Sequence, residues 1–198
     1  MATKYVLQLR IALVGILPPI WRRIQVETTA TFWDLHVATQ DAMGWRGAHL
    51  HEFQIPDHRR GRLARIGVPD NESPTGKATL RGWDVGIADF FQGSSPAAVY
   101  VYDFGDAWTH VVQYEGDVRA RRGARYPICV AGERKCPPED CGGVPGYASL
   151  LEALADPHHP EHQALLKWVG GSFDPEEFDA KAVEFSDPKV MLGIELAD

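Results

Sequence analysis

The stretch that decides the fold is KYVLQLRIAL at residues 4–13, followed by IWRRIQVE at Ile20–Glu27. Tyr5, Leu7, Leu9, Ile11 and Leu13 alternate with Val6, Gln8, Arg10 and Ala12. Side chains two apart on a strand share a face, so this period predicts a strand. Gly15 to Pro19 reads as a turn, the second run as another strand, and the pair as a hairpin. Thr31 then stands where an N-cap would, with Asp34 three residues on to favour the helix start. Phe32, Leu35, Ala38, Ala42 and Met43 fall on one helical face, and Gly44 is a stop. A third strand follows at 49–55, with His49, His51, Phe53 and Ile55 on one face and Leu50, Glu52 and Gln54 on the other.

Further along, residues 56–79 are rich in Arg, Gly, Pro, Asp and Asn and read as a long loop. Asp84 to Phe91 holds a short helical turn. Ala98–Phe104 and Trp108–Glu115 read as a second hairpin through Gly105-Asp106, with Tyr100, Tyr102 and Phe104 on one face. From about residue 126 the character changes. Cys129 to Gly143, CVAGERKCPPEDCGG, reads as a stiff loop. A helix carrying Tyr147, Leu150, Leu151 and Leu154 ends at Asp156-Pro157. A second, after Pro160, carries Leu165, Leu166 and Val169 and stops at Gly170-Gly171. A third starts at Asp174-Pro175 and runs to about Glu184. The expected architecture is α+β: a mixed, mainly antiparallel sheet with a β-grasp-like ββαβ start and a mostly helical C-terminal third. One domain over 1–198 is expected, sheet-rich over 1–118, with the Cys/Pro loop and helices over 126–185.

The 198 residues are 44% hydrophobic and 24% charged, ordinary globular composition. A formal net charge of −7 argues against a dedicated DNA coat, which needs a basic stripe. Two arginine clusters, Arg59/Arg60/Arg62/Arg65 and Arg119/Arg121/Arg122/Arg125, read as solvated loops. Three cysteines cannot all pair within one chain, the N-terminal run has a strand period rather than that of a leader, and no segment is long enough to span a bilayer. A reducing cytoplasm is the expected compartment, where cysteines favour metal or inert burial.

Two sets of residues stand out for chemistry. Cys136 and Cys141 are separated by four residues, at the upper end of zinc spacing, with Pro137-Pro138 fixing the chain between them. Cys129 is a third thiol, and His49 with His51 would offer imidazoles from one strand face, a set suited to tetrahedral Zn²⁺. The plain alternative is that the thiols and imidazoles are core residues. Asp103, Asp106 and His110 crowd the hairpin YDFGDAWTH, and Glu139 and Asp140 stand in the stiff loop. Such groups bind a divalent cation or activate water, but Asp106 is also an ordinary turn residue. The HHPEH run, His158, His159 and His162, reads as an interhelical loop. Gly142-Gly143 ahead of a helix offers a phosphate no lysine and no dinucleotide fingerprint.

PPIWRRIQV near 18–26, DLHVATQDAMGWRGAHLHEF at 34–53, YVYDFGDAWTHVVQYEG at 100–116 and YPICVAGERKCPPEDCGGVPGY at 126–147 appear in this order, followed by HHPEH and SFDPEEFD. Together they resemble the plasmid pRiA4b ORF-3-like family over nearly the whole chain. The resemblance implies a single α+β domain without an assigned activity, in a family some of whose members carry the label of mobile-element passenger or resolvase. The residues oppose strand exchange: the first serine is Ser73, inside the loop-like stretch, and no histidine has Arg three residues later. The leading expectation is therefore a non-enzymatic, cytosolic binding domain with a structural metal or thiol knuckle at Cys129, Cys136 and Cys141. Trp45 or Trp108 would serve a protein or nucleic-acid partner if exposed. The second is a metal-dependent hydrolase of nucleic acid or another phosphoester, in which Asp103, Asp106 and His110 meet His49, His51 or Glu139.

Overall fold

A computed structural model of the chain describes residues 4–69, 79–92 and 97–197. In chain order the elements are β1 (Tyr5–Leu13), β2 (Trp21–Glu27), α1 (Phe32–Met43), β3 (His51–Asp57), β4 (Arg62–Gly67), β5 (Leu80–Arg81), a 3-10 turn (Gly82–Asp84), α2 (Ala88–Phe91), β6 (Ala97–Tyr102), β7 (Trp108–Arg119), β8 (Ile128–Glu133), α3 (Gly143–Ala155), α4 (His162–Trp168) and α5 (Pro188–Glu195). The strands form one sheet in the order β5-β4-β3-β6-β7-β1-β2-β8. Every pairing is antiparallel except the short β4–β5 pair. This is an α+β fold with a mixed sheet.

The opening hairpin forms as its period predicts, from Val6↔Glu27 to Ala12↔Trp21. Leu7, Leu9, Ile11 and Leu13 turn into the core. The helix α1 begins with a capping box: Asp34 N–H donates to Thr31 Oγ1 at 3.2 Å and Thr31 N–H donates to Asp34 Oδ2 at 2.8 Å. It ends at Gly44, whose φ of 83° needs a residue without a Cβ penalty. Phe32, Leu35, Ala38, Ala42 and Met43 are all buried and share one core with the inward strand residues. Phe32, Leu35 and Met43 each contribute about 1.5–3 kcal/mol by leaving water.

The structure corrects several expectations. The ββαβ order holds along the chain, within a sheet larger than the sequence suggested. β7 occupies the edge of β1 from Tyr5↔Arg119 to Leu13↔His110, so β6 and β7 separate β3 from β1. The predicted loop 56–79 contains β4. Its Arg62 and Arg65 obscured the alternation that points Ala64 and Ile66 inward, and Asp57 makes the tight turn by accepting from Arg59 N–H and Arg60 N–H. Residues 70–78 of that stretch, Ser73 among them, lie outside the described residues. The first part of the cysteine stretch is the edge strand β8, paired to β2 across a register shift. Gly132 permits this, since a Cβ there would overlap the Phe178 ring and stand 2.8 Å from Trp21 O. Phe104 is exposed, because β6 ends at Tyr102 and Asp103 turns the chain with φ 55°.

The last third carries three helices with long irregular connections, rather than being mostly helical. The helix expected over 174–184 does not form. Asp174 and Asp179 each accept a backbone N–H two residues on, from Glu176 and Lys181, and these turns compete with a helical ladder. The real start is Asp187, which accepts from Lys189 N–H ahead of Pro188. No helix among the described residues is long and apolar enough to cross a membrane.

Candidate functional site: three loops around His49

The proline-stiffened loop 134–142 folds back onto the sheet. Beneath it lies Arg22, 1% exposed on β2. Its Nε donates to Ala42 O at 2.7 Å, its Nη1 to Trp21 O and Glu133 O at 2.9 Å, and its Nη2 reaches Cys136 Sγ at 3.5 Å. The guanidinium carbon lies 3.7 Å from the Phe178 ring centre. Trp45 Nε1 donates to Pro137 O at 2.8 Å, Tyr102 OH to Glu139 Oε1 at 2.6 Å, and Arg46 N–H to Glu139 Oε2 at 3.1 Å. Burial and the Glu139 carboxylate both raise the Tyr102 pKa, so the phenol stays a donor. Gly142 N–H donates to Asp106 Oδ2 at 3.1 Å, so a protein carboxylate already serves the start of α3 where a phosphate was considered.

The thiols do not converge. Cys129 and Cys136 are core residues and Cys141 is half-buried. Cys136 Sγ lies 3.0 Å from Met43 Sδ. Burial pushes the Cys136 thiol up to about 11, with the Arg22 charge opposing. Cys141 is pushed up to about 12 by burial, with Asp106 and Asp140 adding. Such thiols stay protonated at neutral pH. Among the described residues no cysteine belongs to a group of three or more closely placed metal-ligating side chains. The set Cys129, Cys136, Cys141, His49 and His51 is therefore not brought to one point.

Nor do the two imidazoles face one cation. β3 begins only at His51, which stacks on His36 in the core at 3.5 Å and 5°. His36 Nδ1 lies 2.8 Å from Tyr100 OH, which also accepts from Gln40 Nε2 at 2.8 Å. Burial lowers the His51 pKa to about 3, and burial together with His51 lowers that of His36. His110 is sealed between Tyr100 and Trp45, at 5.3 and 5.5 Å between ring centres. Trp45 and Trp108 are likewise core residues, 5% and 1% exposed. The triad Asp103, Asp106 and His110 is thus split between a turn and the interior.

The structure does assemble His49, Asp103 and Asp140. Each offers one ligand atom within 4.8 Å of the others. His49 Nε2 lies 3.0 Å from Asp140 Oδ1 and 3.7 Å from Asp103 Oδ2. His49 and Asp103 were each legible as candidates, and Asp140 as a member of the stiff loop. Their grouping needed the fold, since they come from the α1–β3 connection, the β6–β7 turn and the loop before α3.

Beside Asp140 lies a cleft of about 940 Å³ between the end of α1, the Cys/Pro loop and residues 168–184. Met43, Trp45, Phe173 and Phe178 line it, and Trp168, 49% exposed, forms a wall. Its carboxylates are Asp41, Glu139, Asp140, Glu177, Asp179 and Glu184, against Arg22, Arg46 and Lys135. The aromatics after residue 165 carried no chemical motif and were not singled out by spacing.

A family model described as plasmid pRiA4b ORF-3-like protein matches residues 5–182. The chain belongs to this family. An uncharacterised protein, y4hQ, of Sinorhizobium fredii (strain NBRC 101917 / NGR234), is 36% identical over 182 residues, which is 91% of this chain and 87% of that protein. The crystal structure of a protein of unknown function, MM3350, from Methanosarcina mazei Go1, is 41% identical. It superposes with a TM-score of 0.85, covering 93% of this chain and all of the other. This pRiA4b ORF-3-like chain therefore shares its fold over 93% of its length with a solved relative, and neither of these names carries a function.

Proposed function

We propose that this pRiA4b ORF-3-like domain is a cytosolic protein-binding module whose cleft takes a basic, partly apolar segment of a partner protein. The cleft carries the reading. Its volume is of the size that holds a ligand, about 300–1,000 Å³. Its rings already accept cations: Arg22 lies over Phe178, and Lys135 Nζ is 5.6 Å from the Phe173 ring centre. Six carboxylates face three cations there, and Arg46 and Lys135 are each tied to one of them, Glu139 and Glu177. Such a rim attracts lysine and arginine and repels a phosphate backbone, which favours protein over nucleic acid.

The test is a fluorescence titration with three probes: a short amphipathic Lys/Leu peptide, its Glu/Leu counterpart, and a single-stranded oligonucleotide. The reading expects binding of the first alone, weakened about ten-fold or more by Trp168→Ala and by Asp179→Lys with Glu184→Lys, and unchanged by the distant Asp84→Lys, since a tenfold change is about 1.4 kcal/mol. Preference for the oligonucleotide, or peptide binding indifferent to the cleft substitutions, overturns it.

A further inference from the structure

We propose that His49, Asp103 and Asp140 form a binding site for one first-row divalent cation, Zn²⁺ or Mn²⁺. This site is independent of peptide binding in the cleft, though Asp140 lines both. With ligand bonds of about 2.1 Å, neighbouring ligands stand roughly 3.0–3.4 Å apart around a tetrahedral or octahedral ion. The two contacts of His49 Nε2, 3.0 Å to Asp140 and 3.7 Å to Asp103, bracket that separation. The third edge, from Asp103 to Asp140, lies within 4.8 Å.

Donor chemistry selects the ion. An imidazole nitrogen with two carboxylate oxygens suits zinc or manganese, whereas Ca²⁺ and Mg²⁺ take oxygen shells. The nitrogen also separates this group from an ordinary patch of surface acids.

A second observation concerns Asp103 itself, which is 9% exposed. Its Oδ1 is committed to Gly105 N–H at 2.9 Å and Asp106 N–H at 3.3 Å. Its Oδ2 is aimed at His49 and accepts no hydrogen bond among the described residues; the 3.7 Å approach is its one polar contact there. The Asp103 side chain is 13% exposed, and a cation between this oxygen and His49 gives the carboxylate a close opposite charge. Asp140 is aimed at the same nitrogen from a backbone with φ 59°. With three protein ligands, a tetrahedral ion keeps one position for water or another ligand.

The experiment is calorimetric titration of the chelator-stripped full chain with ZnCl₂ and with MnCl₂. One equivalent is expected to bind, with affinity falling at least ten-fold in His49→Gln and in Asp140→Asn. Asp140 has a side chain 66% exposed, so its replacement leaves the unfolding midpoint of the metal-free protein unchanged. Asp103→Asn keeps the turn, since Asn retains the Oδ1 acceptor and tolerates positive φ, and it also loses the ion. The double variant His158→Gln, His159→Gln retains binding. Absence of a bound equivalent, binding that survives His49→Gln, or loss with the His158/His159 pair overturns the proposal. So does loss in Cys141→Ser with survival in Asp140→Asn, which would place a thiol where the carboxylate is assigned.

Discussion

Acid should destabilise this protein well above the carboxylate range, because its core holds imidazoles that only the unfolded chain can protonate. His36 and His51 are 3% exposed and His110 is fully buried. Burial lowers His51 to about 3 and His110 to about 4. The carbonyls of Tyr100 and Trp108 favour the charged ring of His110, yet neither of its nitrogens has a hydrogen-bond partner of ordinary geometry. In the unfolded chain each ring returns to about 6.5. Above that pH both states are neutral, and the groups leave stability unchanged. Below it the unfolded chain binds protons that the folded chain does not, so stability falls with pH until the folded values are reached. Each group removes about 1.4 kcal/mol per pH unit, so at about pH 5 His51 and His110 together remove roughly 4 kcal/mol, a large part of a total of about 5–15. Urea melts between neutral pH and about pH 4.5 measure this slope. His110→Leu is the decisive variant: it deletes two unpartnered polar atoms at nearly constant volume, is neutral or stabilising at neutral pH, and flattens the slope by about one proton. A variant as acid-labile as the parent, or a parent equally stable at both ends of the range, refutes the reasoning.

Three further outcomes follow from the packing. Arg22→Met leaves the carbonyls of Ala42, Trp21 and Glu133 without their donor and costs about 3 kcal/mol or more; thermal melts and faster reaction of Cys136 with a thiol reagent report it. Gly132→Ala forces a Cβ into Phe178 and Trp21 O and costs about 2 kcal/mol, read as a lowered urea midpoint. Thr31→Ala removes the capping box of α1 and costs about 1 kcal/mol.

What the sequence made legible was local. The period of Tyr5–Leu13, the cap at Thr31 and the stop at Gly44 each follow from neighbours within a few residues, and all three are present. What stayed hidden depends on which strand takes which edge. β7 beside β1 cannot be read from either strand, since both have the same alternation. β4 and β8 were obscured by arginines, glycine and cysteine, residues that a sheet edge tolerates and a propensity argument assigns to loops. The site follows the same logic. The sequence marked His49 and His51 as a pair because they are two apart, but β3 starts only at His51, and two residues of difference in where a strand begins leave one ring half-exposed and put the other under α1. The stiff loop was recognised from its prolines. That it is anchored by Arg22, an ordinary-looking strand arginine, was not.

The wall of the cleft is held differently from its floor, and this has a measurable consequence. α4 and α5 contain no fully buried residue. The segment around them is tied by Lys135 N–H to Pro175 O at 3.0 Å, by Arg134–Glu176 and Lys135–Glu177 ion pairs at 2.8 and 2.7 Å, by Ser186 N–H to Asp41 at 2.8 Å and by Trp33 Nε1 to Pro188 O at 2.8 Å. An exposed ion pair such as Lys135–Glu177 contributes about 0–1 kcal/mol, whereas opening β1 or β7 exposes a continuous apolar face. The wall therefore opens at a smaller free energy than the sheet. Amide hydrogen exchange should be fast across 160–197 and slow in β1 and β7. A bound basic peptide should slow the first set and leave the second unchanged, since only the wall gains contacts. Amides of residues 168–184 that exchange as slowly as those of β1 in the free protein would mean that the wall belongs to the core, and that the cleft is a rigid feature of the sheet rather than a surface that closes on its ligand.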